Sequence, residues 1–230
     1  MIKAVVFDMD GLMFDTERLC EKAFRWAGQK LDFEISHEFF VSLLGVTRGE
    51  VERRFQEEFG HSFPMAHFWE LSNDYRKTYI ESYGLPEKPG LHPLLHYLSG
   101  HGYRIAVASS TDRPTVISHL NRAGIGDMFD VVVGGDMIEH SKPAPDIYLK
   151  ACELLGVFPH DCIALEDSFH GIRSAYAAGL KTVMVPDLLP PAEEILPMLY
   201  AKVDRLDEII ELLERSRIHG GSKDECNADA

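Results

Sequence analysis

The segment "VVFDMDGLMFDTE", residues 5–17, places two acidic residues directly after a short apolar run. The run is rich in valine, and Asp8, Asp10 and Gly11 follow it. Such a run is typical of a strand that is buried on both faces of a parallel sheet. In open α/β sheets, ligands bind beyond the carboxyl ends of the strands. The acidic pair is therefore predicted to lie where such a sheet binds its ligand.

Four further runs of this kind are separated by patterns with helical periodicity. They are "YRIAVASS" (103–110), "FDVVVGG" (129–135), "DCIALEDS" (161–168) and "LKTVMVP" (180–186). The helical patterns cover residues 91–100, 113–123, 144–155 and 168–178. This alternation predicts a doubly wound, Rossmann-like α/β core with a parallel sheet.

Residues 16–83 contain helical patterns and no convincing strand. The patterns cover residues 16–28, 36–44, 48–59 and 65–82. They predict an α-helical domain inserted after the first strand, with hinges at 14–16 and at the proline-containing "GLPEKPG", 84–90. The predicted domains are an α/β core of residues 1–14 and 86–217, a helical cap of 15–85 and a flexible tail of 218–230.

Composition and charge exclude several classes of partner. The chain of 230 residues has 23 basic and 37 acidic side chains, a net charge of −14, which repels nucleic acids and anionic membranes at long range. Its start lacks the apolar stretch of a signal peptide, so we expect a cytoplasmic protein. The four cysteines have neither zinc-site nor disulfide-framework spacing and are expected to be reduced. We expect a monomer, because one chain contains all the parts of one site.

Polar residues end the predicted strands or follow them closely. Asp8 and Asp10 follow the first, Ser109 and Ser110 end the second, Lys142 precedes a helix in "SKPAPD", and "ALEDS" contains Glu166 and Asp167. Each segment alone could be a helix cap or a surface turn. Together, so many carboxylates at one edge would repel one another unless a cation and an anionic substrate shared the site.

Four motifs in this sequence resemble those of the haloacid dehalogenase superfamily, in its phosphatase and β-phosphoglucomutase-like branch. They are "DMDGLMFDTE", "VASST", "SKPAPDIY" and "LEDSFHGIRSAYAAG", in that order along the chain. The helical insertion resembles the small cap domain of that family. The resemblance implies an enzyme that transfers a phosphoryl group through an aspartyl phosphate.

The resemblance also implies a role for each core residue. Asp8 would be the nucleophile and Asp10 the general acid and base. Mg²⁺ would bind the Asp8 carboxylate, the Asp10 carbonyl and Asp167, with Glu166 as a further ligand or as an acceptor that orients the ligands. The phosphoryl oxygens would be bound by Ser109, Lys142 and the backbone amides of Ser110 and of Met9 or Asp10.

Four cap residues are expected to select the substrate, a small sugar or polyol phosphate: Thr16, Cys20, Arg48 and Lys77. Cys20 occupies the position at which the mutase has a histidine that assists the general acid and base, and this favours a phosphatase. Arg48 resembles the mutase arginine that binds a distal phosphate, and a solvent-exposed helix start is the alternative for it. Lys77 lies in a segment that resembles the mutase's lysine segment, so a sugar phosphomutase stays open. A sensor without turnover is a third possibility, which the full set of catalytic residues disfavours.

Overall fold

The computed structural model describes residues 1–221 except 45, 47 and 189, with the backbone alone at 218–221. The chain divides into two compact units. One contains Met1–Phe14 and the chain from Glu87 onward, and the other contains Asp15–Pro86. A β-bridge between Phe14 and Glu87 joins the two chain segments of the first unit.

The first unit is built on a parallel sheet of six strands. They are β1 (Ala4–Phe7), β2 (Arg104–Ala108), β3 (Val131–Val133), β4 (Cys162–Glu166), β5 (Lys181–Met184) and β6 (Leu199–Lys202). Their order is β3-β2-β1-β4-β5-β6. The strand order reverses between β1 and β4, so the topological switch point lies beside the carboxyl end of β1.

Register brings the ends of the three central strands level with one another. Phe7 of β1 pairs with Val107 of β2 and with Leu165 of β4. All residues of β1 and β4 are buried. Side chains that follow these three strands must therefore lie close together at one edge of the sheet.

Helices of the first unit alternate with the strands. They are α5 (Leu91–Gly100), α6 (Arg113–Arg122), α7 (Asp146–Leu155), α8 (Phe169–Ala177) and α9 (Ile209–Gly221). Helix α7 packs on β2 and β3, and its buried residues share one apolar cluster with β1 and β4. The predicted α/β class with a doubly wound parallel sheet is confirmed.

The second unit contains the helices α1 (Thr16–Lys30), α2 (His37–Ser42), α3 (Arg48–Phe59) and α4 (Met65–Tyr83). Phenylalanine rings form its core. The ring of Phe24 on α1 lies 5.0 Å from that of Phe68 on α4, which lies 4.7 Å from Phe55 on α3. Such edge and tilted contacts stabilise a small helical core beyond simple area burial.

Two elements of the first unit were not predicted. Strand β6 was missed because its residues alternate between half-buried and exposed and form no apolar run. Helix α9 continues to Gly221 and so covers residues 218–221 of the predicted tail. Ile209 and Leu213, one helical turn apart, are buried and fix the start of this helix. The remainder of the predicted tail, 222–230, lies outside the described residues. None of the described helices has the length and apolarity to span a membrane.

Candidate active site

Asp8 lies at the end of β1 and is almost completely buried. Its backbone N–H donates to the carbonyl of Leu165, which continues the pairing of β1 with β4. Gly11 then turns the chain with a φ of +85°, a backbone conformation that favours glycine. A Cβ on Gly11 would lie 2.1 Å from Oδ2 of Asp167, so no side chain fits between the turn after β1 and this carboxylate.

Lys142 joins two of the predicted acidic residues. Its Nζ donates to Oδ1 of Asp8 at 2.5 Å and to Oε1 of Glu166 at 2.6 Å. A third bond of 3.1 Å reaches the carbonyl of Ala108 at the end of β2. The lysine side chain is 7% exposed and that of Glu166 is fully buried. One ammonium group therefore holds the ends of β1, β2 and β4 together.

Burial and charge act in opposite directions on this group. Burial raises the pKa of Asp8 to about 7, Lys142 opposes that rise, and Glu166 and Asp10 add to it. Burial lowers the pKa of Lys142, but Asp8 and Glu166 outweigh it and raise that pKa above its ordinary value. Lys142 is therefore the fixed cation of the site, and any further cation would favour ionised Asp8.

Glu166 has hydrogen-bond donors at both carboxylate oxygens. Oε1 accepts from Lys142 and, at 2.5 Å, from the phenol of Tyr148 on α7. Oε2 accepts from the backbone N–H of Ser168 at 3.3 Å and from its hydroxyl at 3.1 Å. The same hydroxyl accepts from the N–H of Gly171 and caps α8. Hydrogen bonds from three residues therefore fix the orientation of the Glu166 carboxylate.

Three carboxylates meet at the switch point. Asp8, Glu166 and Asp167 each offer an oxygen, and these oxygens lie within 4.8 Å of one another. Hard carboxylate oxygens suit Mg²⁺, and a single lysine does not balance three ionised acids. The residues present therefore fit a divalent cation, with the donors to Glu166 favouring its role as an orienting acceptor.

The turns after β1 and β2 bring Asp10 to Ser109 and Thr111. The Ser109 hydroxyl lies 3.4 Å from Oδ2 of Asp10, and the Thr111 hydroxyl lies 2.9 Å from the same atom. Met9 and Ser110, predicted to offer backbone amides, lie in these same turns; the Met9 side chain is buried and that of Ser110 is exposed. All the core residues predicted for the site thus belong to one unit and to its sheet edge.

The sequence analysis assigned no role to Thr111, Tyr148 or Ser168. Each stands inside a motif that was recognised: "VASST" ends in Thr111, "SKPAPDIY" ends in Tyr148, and Ser168 follows Asp167. The signal available was their position one to six residues after a predicted site residue. Their contacts depend on how α7 and the turns pack, which residue type alone does not determine.

The four predicted cap residues of the helical unit differ in burial and in their contacts. Thr16 begins α1 and is half-buried, as is Cys20 one turn later. Burial raises the pKa of the Cys20 thiol to about 12, with Arg76 opposing and Glu17 adding to the rise. The Cys20 thiol therefore stays protonated at neutral pH.

Arg48 and Lys77 are both exposed. The guanidinium of Arg48 lies 5.0 Å from the Trp69 ring centroid, and its Nε donates to Glu52 at 3.1 Å. Arg48 thus already has a helix-surface ion pair and a cation–π contact within its own unit. Among the described hydrogen bonds and ion pairs, none involves the Lys77 side chain.

Comparison with known proteins gives consistent matches. Residues 5–185 match the family model for haloacid dehalogenase-like hydrolase. The phosphorylated carbohydrates phosphatase of Thermotoga maritima is 30% identical, over 79% of this chain and 84% of that protein. The crystal structure of a mutant CbbY from Rhodobacter sphaeroides with xylulose-(1,5)bisphosphate is 31% identical, with a TM-score of 0.71 over 90% of this chain and 96% of that one. A β-phosphoglucomutase structure from Clostridium difficile is 28% identical, with a TM-score of 0.67 over 95% of this chain and 100% of that one.

Proposed function

The chain belongs to the haloacid dehalogenase-like hydrolases and is a phosphatase, and we propose that it hydrolyses small sugar or polyol phosphates with Mg²⁺ through an aspartyl phosphate. The observation that carries this proposal is the bond of 2.5 Å between Lys142 Nζ and Asp8 Oδ1, beside the clustered carboxylates of Glu166 and Asp167. The named phosphatase relative supports a phosphorylated carbohydrate as the substrate class.

Asp8 is the proposed nucleophile. One of its oxygens is bound by Lys142. An ionised carboxylate held in this way can attack phosphorus in line and form a P–O bond while the ester oxygen leaves. Lys142 offsets the charge that accumulates as the anionic phosphoryl group reaches the carboxylate.

Asp10 is the proposed general acid and base. It follows the nucleophile by two residues and is bound through Oδ2 to Thr111. Asp10 would protonate the leaving alkoxide and then accept a proton from the water that attacks the aspartyl phosphate. The hydroxyl of Ser109, with the amides of Ser110 and of Met9 or Asp10, would bind the transferring oxygens.

The residues proposed to hold Mg²⁺ are Asp8 and Asp167 through carboxylates and Asp10 through its carbonyl. Glu166 would orient Asp8 through Lys142, since both of its oxygens already accept hydrogen bonds. A bound Mg²⁺ supplies positive charge that keeps Asp8 ionised and attracts phosphate.

A sugar phosphomutase is the second candidate function. The same phosphoenzyme serves both reactions, which differ in whether water or a sugar hydroxyl accepts the phosphoryl group. A match to a β-phosphoglucomutase structure favours this candidate, and the protonated thiol of Cys20 favours the phosphatase. The helical unit, with Thr16, Arg48 and Lys77, is our proposed determinant of the leaving group.

The test is a screen of phosphorylated metabolites with the purified protein and Mg²⁺, following inorganic phosphate and isomerised product separately. We expect release of phosphate, loss of activity in chelator, and recovery when Mg²⁺ is added. Asp8→Asn should lower turnover by more than about a thousandfold. The control Asp127→Asn changes an exposed aspartate and should keep full activity. A fully active Asp8→Asn variant would exclude the mechanism.

A further inference from the structure

We propose that Thr111 is the positioning residue for Asp10: its hydroxyl fixes the orientation of the carboxylate that transfers the proton. This inference rests on the proposed phosphatase function and assigns a role to a residue outside the expected set. Thr111 would act through Asp10 and would not itself contact the reacting atoms.

The hydrogen bonds of Thr111 reach both functional groups of the neighbouring turns. Its hydroxyl donates to Asp10 Oδ2 at 2.9 Å, and its backbone N–H donates to the Ser109 hydroxyl at 3.1 Å. The direct contact between Ser109 and Asp10 is longer, at 3.4 Å. The bond from Thr111 is therefore the shorter of the two that hold Asp10 Oδ2.

The backbone around Thr111 is anchored on both sides. Its carbonyl accepts the N–H of Gly135 at 2.9 Å, and the next residue, Asp112, caps α6 by accepting the N–H of Thr115 at 3.1 Å. Gly135 packs so closely that a Cβ there would lie 2.3 Å from the Ser110 carbonyl. The Thr111 hydroxyl is therefore presented to Asp10 from a fixed turn, as preorganised proton transfer requires.

This arrangement separates the two oxygens of Asp10. Oδ2 is held by Thr111 and Ser109, so we assign the contact with the leaving oxygen to Oδ1. Loss of the hydroxyl would let the carboxylate rotate and spend less time in the orientation for transfer. The rate should then fall most for esters whose leaving oxygen must be protonated.

The experiment compares phenyl phosphate with p-nitrophenyl phosphate, two esters of similar shape. Phenol has a pKa of about 10, as in tyrosine, and needs protonation on leaving, whereas p-nitrophenol is far more acidic and does not. For Thr111→Val we expect kcat/KM to fall about tenfold to a hundredfold for phenyl phosphate and less than about threefold for p-nitrophenyl phosphate. Thr111→Ser, which keeps the hydroxyl, should restore both to near the wild-type values.

Thr182→Val is the matched control, because Thr182 is buried in β5, three strands away from β2, which Thr111 follows. It should leave kcat/KM for both esters unchanged. If Thr111→Val does not fold, Thr111→Ala makes the same comparison. Equal losses on the two esters, or failure of Thr111→Ser to restore the difference, would overturn the positioning role. A wild-type protein that hydrolyses neither ester nor any sugar phosphate would instead overturn the proposed function, and this inference with it.

Discussion

The phenol of Tyr148 donates a hydrogen bond of 2.5 Å to Oε1 of Glu166, inside the core between α7 and β4. Burial, together with the charge of Glu166, raises the pKa of Tyr148 well above its ordinary value, so the phenol remains a donor at any physiological pH. Lys142 donates to the same oxygen. Tyr148 thus helps to fix the acceptor that orients Lys142.

Tyr148→Phe should remove one hydrogen bond to Glu166 without leaving this carboxylate unpaired, since Lys142 and Ser168 still donate to it. Loss of a buried hydrogen bond to a charged acceptor should lower the free energy of unfolding by about 1.5–3 kcal/mol. Activity should fall about tenfold or more, as is common for residues that orient metal-site groups. Urea unfolding and a Mg²⁺-dependent assay measure the two effects.

Tyr176→Phe is the control for that change, because Tyr176 on α8 is 53% exposed. It should leave stability and activity at wild-type values. Equal stability of Tyr148→Phe and the wild type would show that the Tyr148 bond contributes nothing to the fold.

Gly11→Ala should weaken metal binding through Asp167. The added Cβ would lie 2.1 Å from Asp167 Oδ2, so either the turn after β1 or the carboxylate must move. We expect a loss of Mg²⁺ affinity of about tenfold or more, measured as the Mg²⁺ concentration that gives half-maximal activity.

Gly102→Ala is the control that distinguishes the effect of the contact with Asp167 from the effect of backbone strain. Gly102 also has a positive φ, +73°, but no heavy atom lies within 4 Å of its added Cβ. Both variants should lose about 1–2 kcal/mol of stability from the left-handed backbone. Only Gly11→Ala should change the metal dependence, and a similar change in Gly102→Ala would contradict the assignment.

Part of this site could be predicted from the sequence because it depends on local sequence patterns. The apolar runs that end in Asp8, Ser109 and Glu166 indicate buried parallel strands, and their carboxyl ends must share an edge. Thr111 and Tyr148 could not be assigned in this way. Their roles depend on the bend of one turn and the rotation of α7, which the residue pattern does not specify. Strand β6 was not predicted because an edge strand needs only one buried face and so has no continuous apolar run.

Thr182→Val should stabilise the protein. The hydroxyl of Thr182 is buried in β5 and, within the described chain, no hydrogen bond to it is found. A buried hydroxyl without a partner costs about 1–3 kcal/mol, and valine has nearly the same shape. We expect a rise of about 1 kcal/mol in the free energy of unfolding, measured with urea. The reverse change at the next position, Val183→Thr, should destabilise, and a stability loss in Thr182→Val would show that the hydroxyl has a partner.

Cys20 provides the test between hydrolase and mutase. Burial raises its pKa to about 12, so at pH 7 to 9 the thiol holds its proton and cannot serve as a base. A mutase must keep its aspartyl phosphate from water until a sugar hydroxyl arrives, whereas a hydrolase need not. The wild-type protein should therefore release phosphate from β-glucose 1-phosphate faster than it forms the 6-phosphate, with both products measured in one reaction. Cys20→Ser, which also offers no base, should leave the ratio of transfer to hydrolysis unchanged, and Cys20→His should raise it slightly. Rapid isomerisation by the unmutated protein with little phosphate released would make it a mutase, because the partition of the phosphoenzyme between water and sugar defines the two classes.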